Sequence, residues 1–217
     1  MLKFYCARIS INVRRVWVAL IEKQIPFEMI PLNLDGDQFK PDFADINPLQ
    51  RIPVIVDNGL RVIESLAILD YLEAQYPSPP LMPKDPQAIA IVRMAEMVAV
   101  NELQPATIPL TKQMIGIPVE AQQLTNARQR AITILHFYED LLGDNQYIAG
   151  EEFTLAEVVA GTLIPSLPMF GIDLDAYPKL FNWTTQLAQR ASWQQTMPRP
   201  EDIEAALPHV KKILETR

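Results

Sequence analysis

The chain has 217 residues, of which 49% are hydrophobic, and a formal net charge of −7 at pH 7. That much apolar sequence can form a sizeable core, which excludes a disordered chain. The acidic charge argues against nucleic acid as a partner. The single cysteine excludes an internal disulfide and a thiolate metal site, so we expect no metal and a reducing, cytoplasmic setting. We expect no membrane contact, because the apolar run 16–21 is too short to span a bilayer.

The first part of the chain alternates between strand and helix patterns. Period-two and β-branched segments indicate strands, and apolar residues at helical spacing indicate helices. The predicted elements are, in chain order, a strand over 2–6, a helix over 12–23, a strand over 27–32, a short helix near 40–45, a hairpin over 54–63 and a helix from Ser65. The Asp57-Asn58-Gly59 turn supports the hairpin. This order predicts an α/β domain.

A proline-rich segment over residues 78–86 then breaks the chain and predicts a linker. Only helical patterns follow it. The predicted helices cover 86–103, 125–142, the segment after Thr154, 178–190 and 200–216. Thr154 and Glu157 have the spacing of a capping box, in which each side chain satisfies an early backbone N–H. The sequence therefore predicts an α/β domain over 1–77 and an all-helical domain over 87–217.

The segment from Asn47 to Ser65 carries the strongest indication of a binding site. Pro53 has no N–H and belongs at the start of a strand, and the bond before it is a candidate for the cis form. The polar main-chain groups of Ile52 would then be free to pair with an extended ligand. The N–H groups at the start of the Ser65 helix favour an anion, and Glu64 could hold an ammonium group. These features predict a site for a small peptide with a free carboxylate.

Several motifs in this order resemble those of the cytosolic glutathione S-transferases. They are NPLQRIPVI at 47–55, ESLAILDYL at 64–72, Tyr76-Pro77, SINVRRV at 10–16, GDQFKPDF at 36–43 and FTLAE at 153–157. The resemblance covers nearly the whole chain. It is to the serine-type members, whether theta-, phi- or delta-like or of a bacterial class. It implies an N-terminal thioredoxin-like domain followed by an all-helical C-terminal domain, and a cytoplasmic homodimer.

The resemblance also implies a function and a set of site residues. It implies conjugation of the glutathione thiolate to small hydrophobic electrophiles, with glutathione as co-substrate and no other cofactor. Ser10 is the expected donor to the thiolate. The expected glutathione-binding residues are Gln38, Arg51, Ile52, Glu64 and Ser65. The expected electrophile pocket contains Arg8, Ile11, Ile108 and Met114, and the expected structural residues are Pro53, Thr154 and Glu157.

Alternatives remain open at this level. Ser10 could serve only as a helix N-cap, a position that serine favours. Tyr5 or Cys6 could replace Ser10, and the cation of Arg8 could also favour a thiolate. The chain could be a non-catalytic binding or regulatory protein, because fold alone does not prove activity. An isomerase of this fold usually carries an S-S-C-x-x-x-R-type loop, which residues 7–10 lack.

Overall fold

The computed structural model describes residues 1–33 and 36–215. The strands are β1 (Leu2–Cys6), β2 (Phe27–Pro31), β3 (Val54–Asp57) and β4 (Leu60–Ile63). The helices are α1 (Ile11–Glu22), α2 (Pro41–Ala44), α3 (Ser65–Gln75), α4 (Pro86–Val98), α5 (Gln104–Met114), α6 (Ala121–Leu142), α7 (Leu155–Ala160), α8 (Pro178–Ala188), α9 (Ala191–Thr196) and α10 (Pro200–Glu215). The helix predicted over 200–216 is therefore present up to Glu215, and Thr216 lies outside the described residues.

The strands form one mixed sheet in the order β2-β1-β3-β4. β1 runs parallel to β2 and antiparallel to β3, and β3 pairs antiparallel with β4 through the Asn58-Gly59 turn. The parallel pair needs a crossover, which α1 provides. The central strands β1 and β3 form the core of the sheet, because the side chains of Phe4, Val54 and Ile55 are fully buried. The predicted order of strands and helices is confirmed.

Two helices that end the chain belong to the same compact unit as the sheet. One unit comprises Met1–Pro80 together with the chain from Ala191 onward, and the other comprises Leu81–Arg190. Arg14 of α1 donates through Nε to the Thr196 hydroxyl at 3.4 Å, and the Ser192 hydroxyl donates to Glu22. These bonds tie α9 to α1, whereas the sequence pattern grouped the segment after residue 190 with the other helices.

The helix expected over 86–103 is longer than its pattern indicated. α4 continues into a π-helical turn over Ala99–Leu103, and α5 follows without a break and contains Pro109. The prolines of this region therefore do not end the helix. The π turn inserts an extra residue between the two α-helical stretches, and so shifts the apolar face out of the register expected from a 3.6-residue period.

Helix α7 is buried along its whole length in the second unit. The Thr154 hydroxyl accepts from the Ala156 N–H at 3.2 Å, and the Glu157 carboxylate accepts from the Thr154 N–H at 2.9 Å. The reciprocal contacts expected of a capping box are therefore present. None of the described helices is both long and apolar enough to cross a bilayer.

Candidate functional site

The loop from Asn47 to Pro53 is held open by one buried side chain. Asn47 donates through Nδ2 to the Arg51 carbonyl at 2.7 Å, and its Oδ1 accepts from the Leu49 N–H at 3.0 Å. The Ile52–Pro53 peptide bond is cis. Within residues 1–33 and 36–215, the N–H and C=O of Ile52 have no partner. This edge is therefore available to an extended peptide, as the sequence predicted.

The N-terminus of α3 lies beside that loop. Glu64 precedes the helix with φ 67° and ψ 120° and does not cap it with its side chain, so first-turn N–H groups remain available. Arg15, which is fully buried, donates through Nη1 to the Ser65 hydroxyl oxygen at 3.4 Å. Because that oxygen already accepts, the hydroxyl proton of Ser65 can be donated to an anion. The site combines a helix dipole, a hydroxyl donor and a nearby buried cation.

A small cavity brings these groups together. Its volume is about 60 Å³, and it is lined by Asn12, Asn47, Arg51, Ile52, Pro53, Glu64 and Ser65. A space of this size suits a group as small as a carboxylate rather than a whole tripeptide. It is suited to receive one charged end of an extended ligand.

A larger cavity lies beside the β1–α1 loop, within the same unit. Its volume is about 560 Å³, which is in the range of small-molecule sites. It lies between the ends of β1 and β2 and one face of α10. Its lining residues are Cys6, Ala7, Arg8, Ile9, Met29, Pro31, Leu32, Asn33, Glu201, Asp202, Ala205, Ala206 and His209. On the side formed by β1, β2 and the β1–α1 loop, most of the lining side chains are apolar.

Ser10 precedes α1, in the stretch of chain between a residue that lines the larger cavity and one that lines the smaller cavity. Ile9 lines the larger cavity and Asn12 lines the smaller one, so the chain passes from one to the other at Ser10. Ser10 caps α1, because its Oγ accepts from the Val13 N–H at 3.4 Å. A capping oxygen keeps its own proton for donation. The N-cap role and a role as donor to a sulfur atom are therefore compatible.

The comparisons with known proteins agree with this architecture. Residues 4–80 match the family model of the glutathione S-transferase N-terminal domain, and residues 69–191 match that of the C-terminal domain. The chain belongs to the glutathione S-transferase family. Its predicted fold class, a thioredoxin-like domain followed by a helical domain, is confirmed, and so is its assignment as an enzyme of this family.

Named relatives cover nearly the full chain. Maleylacetoacetate isomerase of Mus musculus is 30% identical over 85% of this chain and 87% of its own length. Glutathione S-transferase Z1 of Arabidopsis thaliana is 31% identical over 92% of this chain and 93% of its own length. The crystal structure of a glutathione transferase homolog from Sulfitobacter, with bound glutathione, is 27% identical with a TM-score of 0.77, and the match covers 90% of this chain and 96% of that one.

The alternatives to Ser10 in this family member have distinct surroundings. Tyr5 lies within β1, half-buried, with its ring centroid 6.1 Å from that of Phe43. Cys6 is 1% exposed, and burial raises the pKa of its thiol to about 12, although Arg8 opposes that shift. A reactive cysteine needs a lowered pKa, so Cys6 has the wrong environment for thiol chemistry.

Cys6 should therefore resist alkylation in the folded protein. Because its pKa is raised, the thiolate is scarce at every pH below about 12, and labelling should increase as pH rises toward that value. At about pH 8, iodoacetamide should react at least about 100-fold more slowly with the folded chain than with the denatured chain. Mass spectrometry of timed samples measures both rates. Equal rates in the two states would contradict this assignment.

The remaining predicted residues are distributed unevenly. Gln38 is buried, and its Oε1 has no hydrogen-bond partner among the described residues, but it does not line the smaller cavity. Ile11 is half-buried in the first turn of α1. Ile108 and Met114 lie on α5 in the second unit and are exposed. Of the four residues expected around the electrophile, Arg8 is the one that lines the larger cavity described above.

Two supporting residues were not predicted as part of the site. Asn47 shapes the loop, and Arg15 contacts Ser65. Asn47 stands in the motif that begins with Asn-Pro, so its position carried a signal. Arg15 stands in the SINVRRV motif, but that motif indicated no role for it in the site, because an arginine on a helix is ordinarily solvated. Two tyrosines attach α3 to the hairpin, because the hydroxyls of Tyr71 and Tyr76 both donate to the buried carboxylate of Asp57. The hydrogen bond to Asp57 raises the pKa of Tyr76 to about 12.

Proposed function

We propose that the chain conjugates the thiolate of glutathione to small hydrophobic electrophiles. The observation that carries the proposal is the position of Ser10 in the chain, between Ile9 on the wall of a larger, mostly apolar cavity and Asn12 on the wall of a carboxylate-sized polar one. A thiol beside Ser10 would face both. Glutathione, with a charged γ-glutamyl end and a central cysteine, has the shape that this arrangement requires.

The binding mode follows from the contacts around the smaller cavity. The γ-glutamyl carboxylate accepts from the Ser65 hydroxyl and from first-turn N–H groups of α3, and the ammonium group lies against Glu64. The main chain of Ile52 pairs with the cysteinyl unit in the manner of an added strand. Arg51 and Gln38 meet the glycyl carboxylate. This orientation directs the sulfur toward Ser10 and the larger cavity.

The chemistry requires a thiolate near neutral pH. A free thiol has a pKa of about 8.5, and each unit of lowering needs about 1.4 kcal/mol of preferential interaction with the anion. The Ser10 hydroxyl and the N-terminus of α1 favour the anion. The sulfur then attacks the electrophilic carbon. With a chloronitroarene the C–S bond forms, the C–Cl bond breaks, chloride leaves, and the thiol proton passes to solvent.

A second candidate is glutathione-dependent isomerisation, favoured by relatives named as isomerases, at 30% to 31% identity. The loop over residues 7–10 lacks the S-S-C-x-x-x-R-type pattern. Maleylacetoacetate is a dicarboxylate, and the two arginines at the wall of the larger cavity, Arg8 and Arg199, are already paired with Asp202 and Glu201. Conjugation of uncharged electrophiles therefore fits this chain better. A direct assay with maleylacetoacetate distinguishes the two activities.

Calorimetric titration with glutathione tests the proposed site. We expect saturable binding by the wild-type chain. Ser65→Ala should weaken it at least about 10-fold, which is about 1.4 kcal/mol, because the carboxylate loses a hydroxyl donor. The dipeptide cysteinylglycine, which lacks the γ-glutamyl group, is the matched ligand control and should bind weakly to both forms. Equal affinity for the tripeptide and the dipeptide would contradict the assignment of the smaller cavity.

Turnover separates an enzyme from a binding module. A chlorinated nitroarene and an isothiocyanate provide two reaction types with one thiolate. Saturable glutathione binding without turnover of either compound would support the non-catalytic alternative. The homodimer implied by the resemblance stays a prediction, and sedimentation tests it.

A further inference from the structure

One ion pair lies on the wall of the larger cavity. Arg8 donates through Nε to Asp202 Oδ2 at 3.2 Å and through Nη2 to the Gln195 carbonyl at 3.2 Å. Its guanidinium also lies over the ring of Trp17, 4.5 Å from the centroid. These contacts connect the β1–α1 loop to α9 and α10. They also mean that the positive charge of Arg8 is already matched by a carboxylate.

Asp202 is held firmly by a second arginine. Arg199 donates through Nε to Oδ2 at 2.8 Å and through Nη2 to Oδ1 at 2.9 Å, and its main-chain N–H donates to Oδ2 at 3.2 Å. The hydrogen bond from Arg199 is the main cause that lowers the pKa of Asp202 to about 2, so this carboxyl is ionised at neutral pH. A ligand's carboxylate would have to displace a residue bonded on both oxygens.

The charges on this wall are already matched, because Arg199 also lies 3.3 Å from a carboxylate oxygen of Glu201. Among the described lining residues, Arg8 is accompanied by the carboxylates of Glu201 and Asp202. An anionic electrophile would meet two carboxylates whose cations, Arg8 and Arg199, are already paired with them, and would lose hydration without gaining a partner. An uncharged electrophile is not repelled by the carboxylates and does not have to give up the hydration of a charge.

We propose that the Arg8–Asp202 pair sets the substrate class of the larger cavity, admitting uncharged electrophiles and rejecting those that carry a carboxylate. This rests on the proposed function, since it assumes that the electrophile occupies this cavity. Asp202 acts through Arg8, and is a specificity-determining residue rather than a catalytic one.

A pair of nearly isosteric compounds tests the proposal. The electrophiles 4-chloro-3-nitrobenzamide and 4-chloro-3-nitrobenzoate differ in charge and little in shape, and each rate is divided by the uncatalysed rate with glutathione. The two S-aryl glutathione products serve as binding probes in calorimetry, so the preference is measured even if turnover is slow. The wild-type chain should favour the amide by about 10-fold or more in both measurements.

Three variants assign the preference to the ion pair. Asp202→Asn frees Arg8 for a ligand carboxylate, whereas Arg199 keeps Glu201 as its partner, and the variant should bring the two compounds within about 3-fold of each other. Glu204→Gln makes the same change in net charge at an exposed position of α10 outside the cavity lining, and should leave the preference as in the wild type. Arg8→Gln combined with Asp202→Asn removes the freed cation, and should restore the preference for the amide.

The outcomes separate this inference from the function on which it rests. Equal treatment of the two compounds by the wild type would overturn it, as would a change in Asp202→Asn no larger than that in Glu204→Gln. If the Asp202→Asn chain fails to fold, the wild-type preference still decides the substrate class. Failure to bind glutathione itself would instead overturn the proposed function.

Discussion

Ser10→Ala is expected to lower kcat for conjugation by at least about 10-fold while leaving the affinity for glutathione nearly unchanged. The hydroxyl would contact the sulfur and favour the thiolate over the thiol, so its loss raises the pKa of bound glutathione. In the proposed binding mode the γ-glutamyl end of the tripeptide is held elsewhere, by the smaller cavity. Ultraviolet absorbance of the thiolate, followed as a function of pH with saturating glutathione, measures that pKa directly and should show an increase in the variant.

The control variant at position 10 keeps the role of the side chain as the N-cap of α1. Because Ser10 caps α1, alanine also costs about 1 kcal/mol of stability, and a lower kcat could reflect that loss alone. Ser10→Thr retains a hydroxyl for both roles and should keep most of the activity. Ser10→Ala with full activity, together with an inactive Tyr5→Phe, would transfer the thiolate contact to Tyr5 and sink the present assignment.

Among the substitutions proposed for this chain, Glu157→Ala is expected to cause the largest decrease in the free energy of unfolding. The Glu157 side chain is completely buried, and it accepts from the Ile148 N–H at 2.8 Å and from both the N–H and the hydroxyl of Thr154, at 2.9 Å and 2.8 Å. Alanine leaves these donors buried without an acceptor, at about 1–3 kcal/mol for each unsatisfied group. We expect the free energy of unfolding to fall by about 3–5 kcal/mol.

Urea denaturation followed by circular dichroism measures this loss. Glu152→Ala removes the same charge at an exposed position five residues earlier, and should change the midpoint little. A loss below about 1 kcal/mol for Glu157→Ala would mean that water or a neighbouring group replaces the carboxylate. The hydrogen bonds of the capping box would then contribute less to stability than their geometry indicates.

The sheet could be predicted because its signals are local. β1 begins and ends at the predicted residues, and the Asn58-Gly59 turn marks the hairpin by its preference for positive φ. The position of Ser65 at the start of α3 was predicted for a similar reason, since a helix start has its own residue preferences. The segment from Asn47 to Ser65 therefore predicted the hairpin and the start of α3.

Features that depend on tertiary contacts could not be predicted. Arg14 and Arg15 are buried in α1, although charged residues are ordinarily exposed. Burial lowers the pKa of Arg14 to about 10. Arg15 has a role only because Ser65 lies beside it, 50 residues away in sequence. Helix α9 has six residues, too few for a clear period, and its attachment to α1 depends on hydrogen bonds between side chains distant in sequence.

The φ angle of 67° at Glu64 has a consequence for how the site meets its ligand. A residue with a side chain resists that conformation by about 1–3 kcal/mol, and the cost is already met in the folded chain by the hairpin and α3 on either side. Glycine would relax the backbone there but would remove the only atoms able to receive an ammonium group from this position. The proposed site is therefore preorganised: its backbone has the binding conformation before the ligand is present, and little conformational entropy is lost on binding.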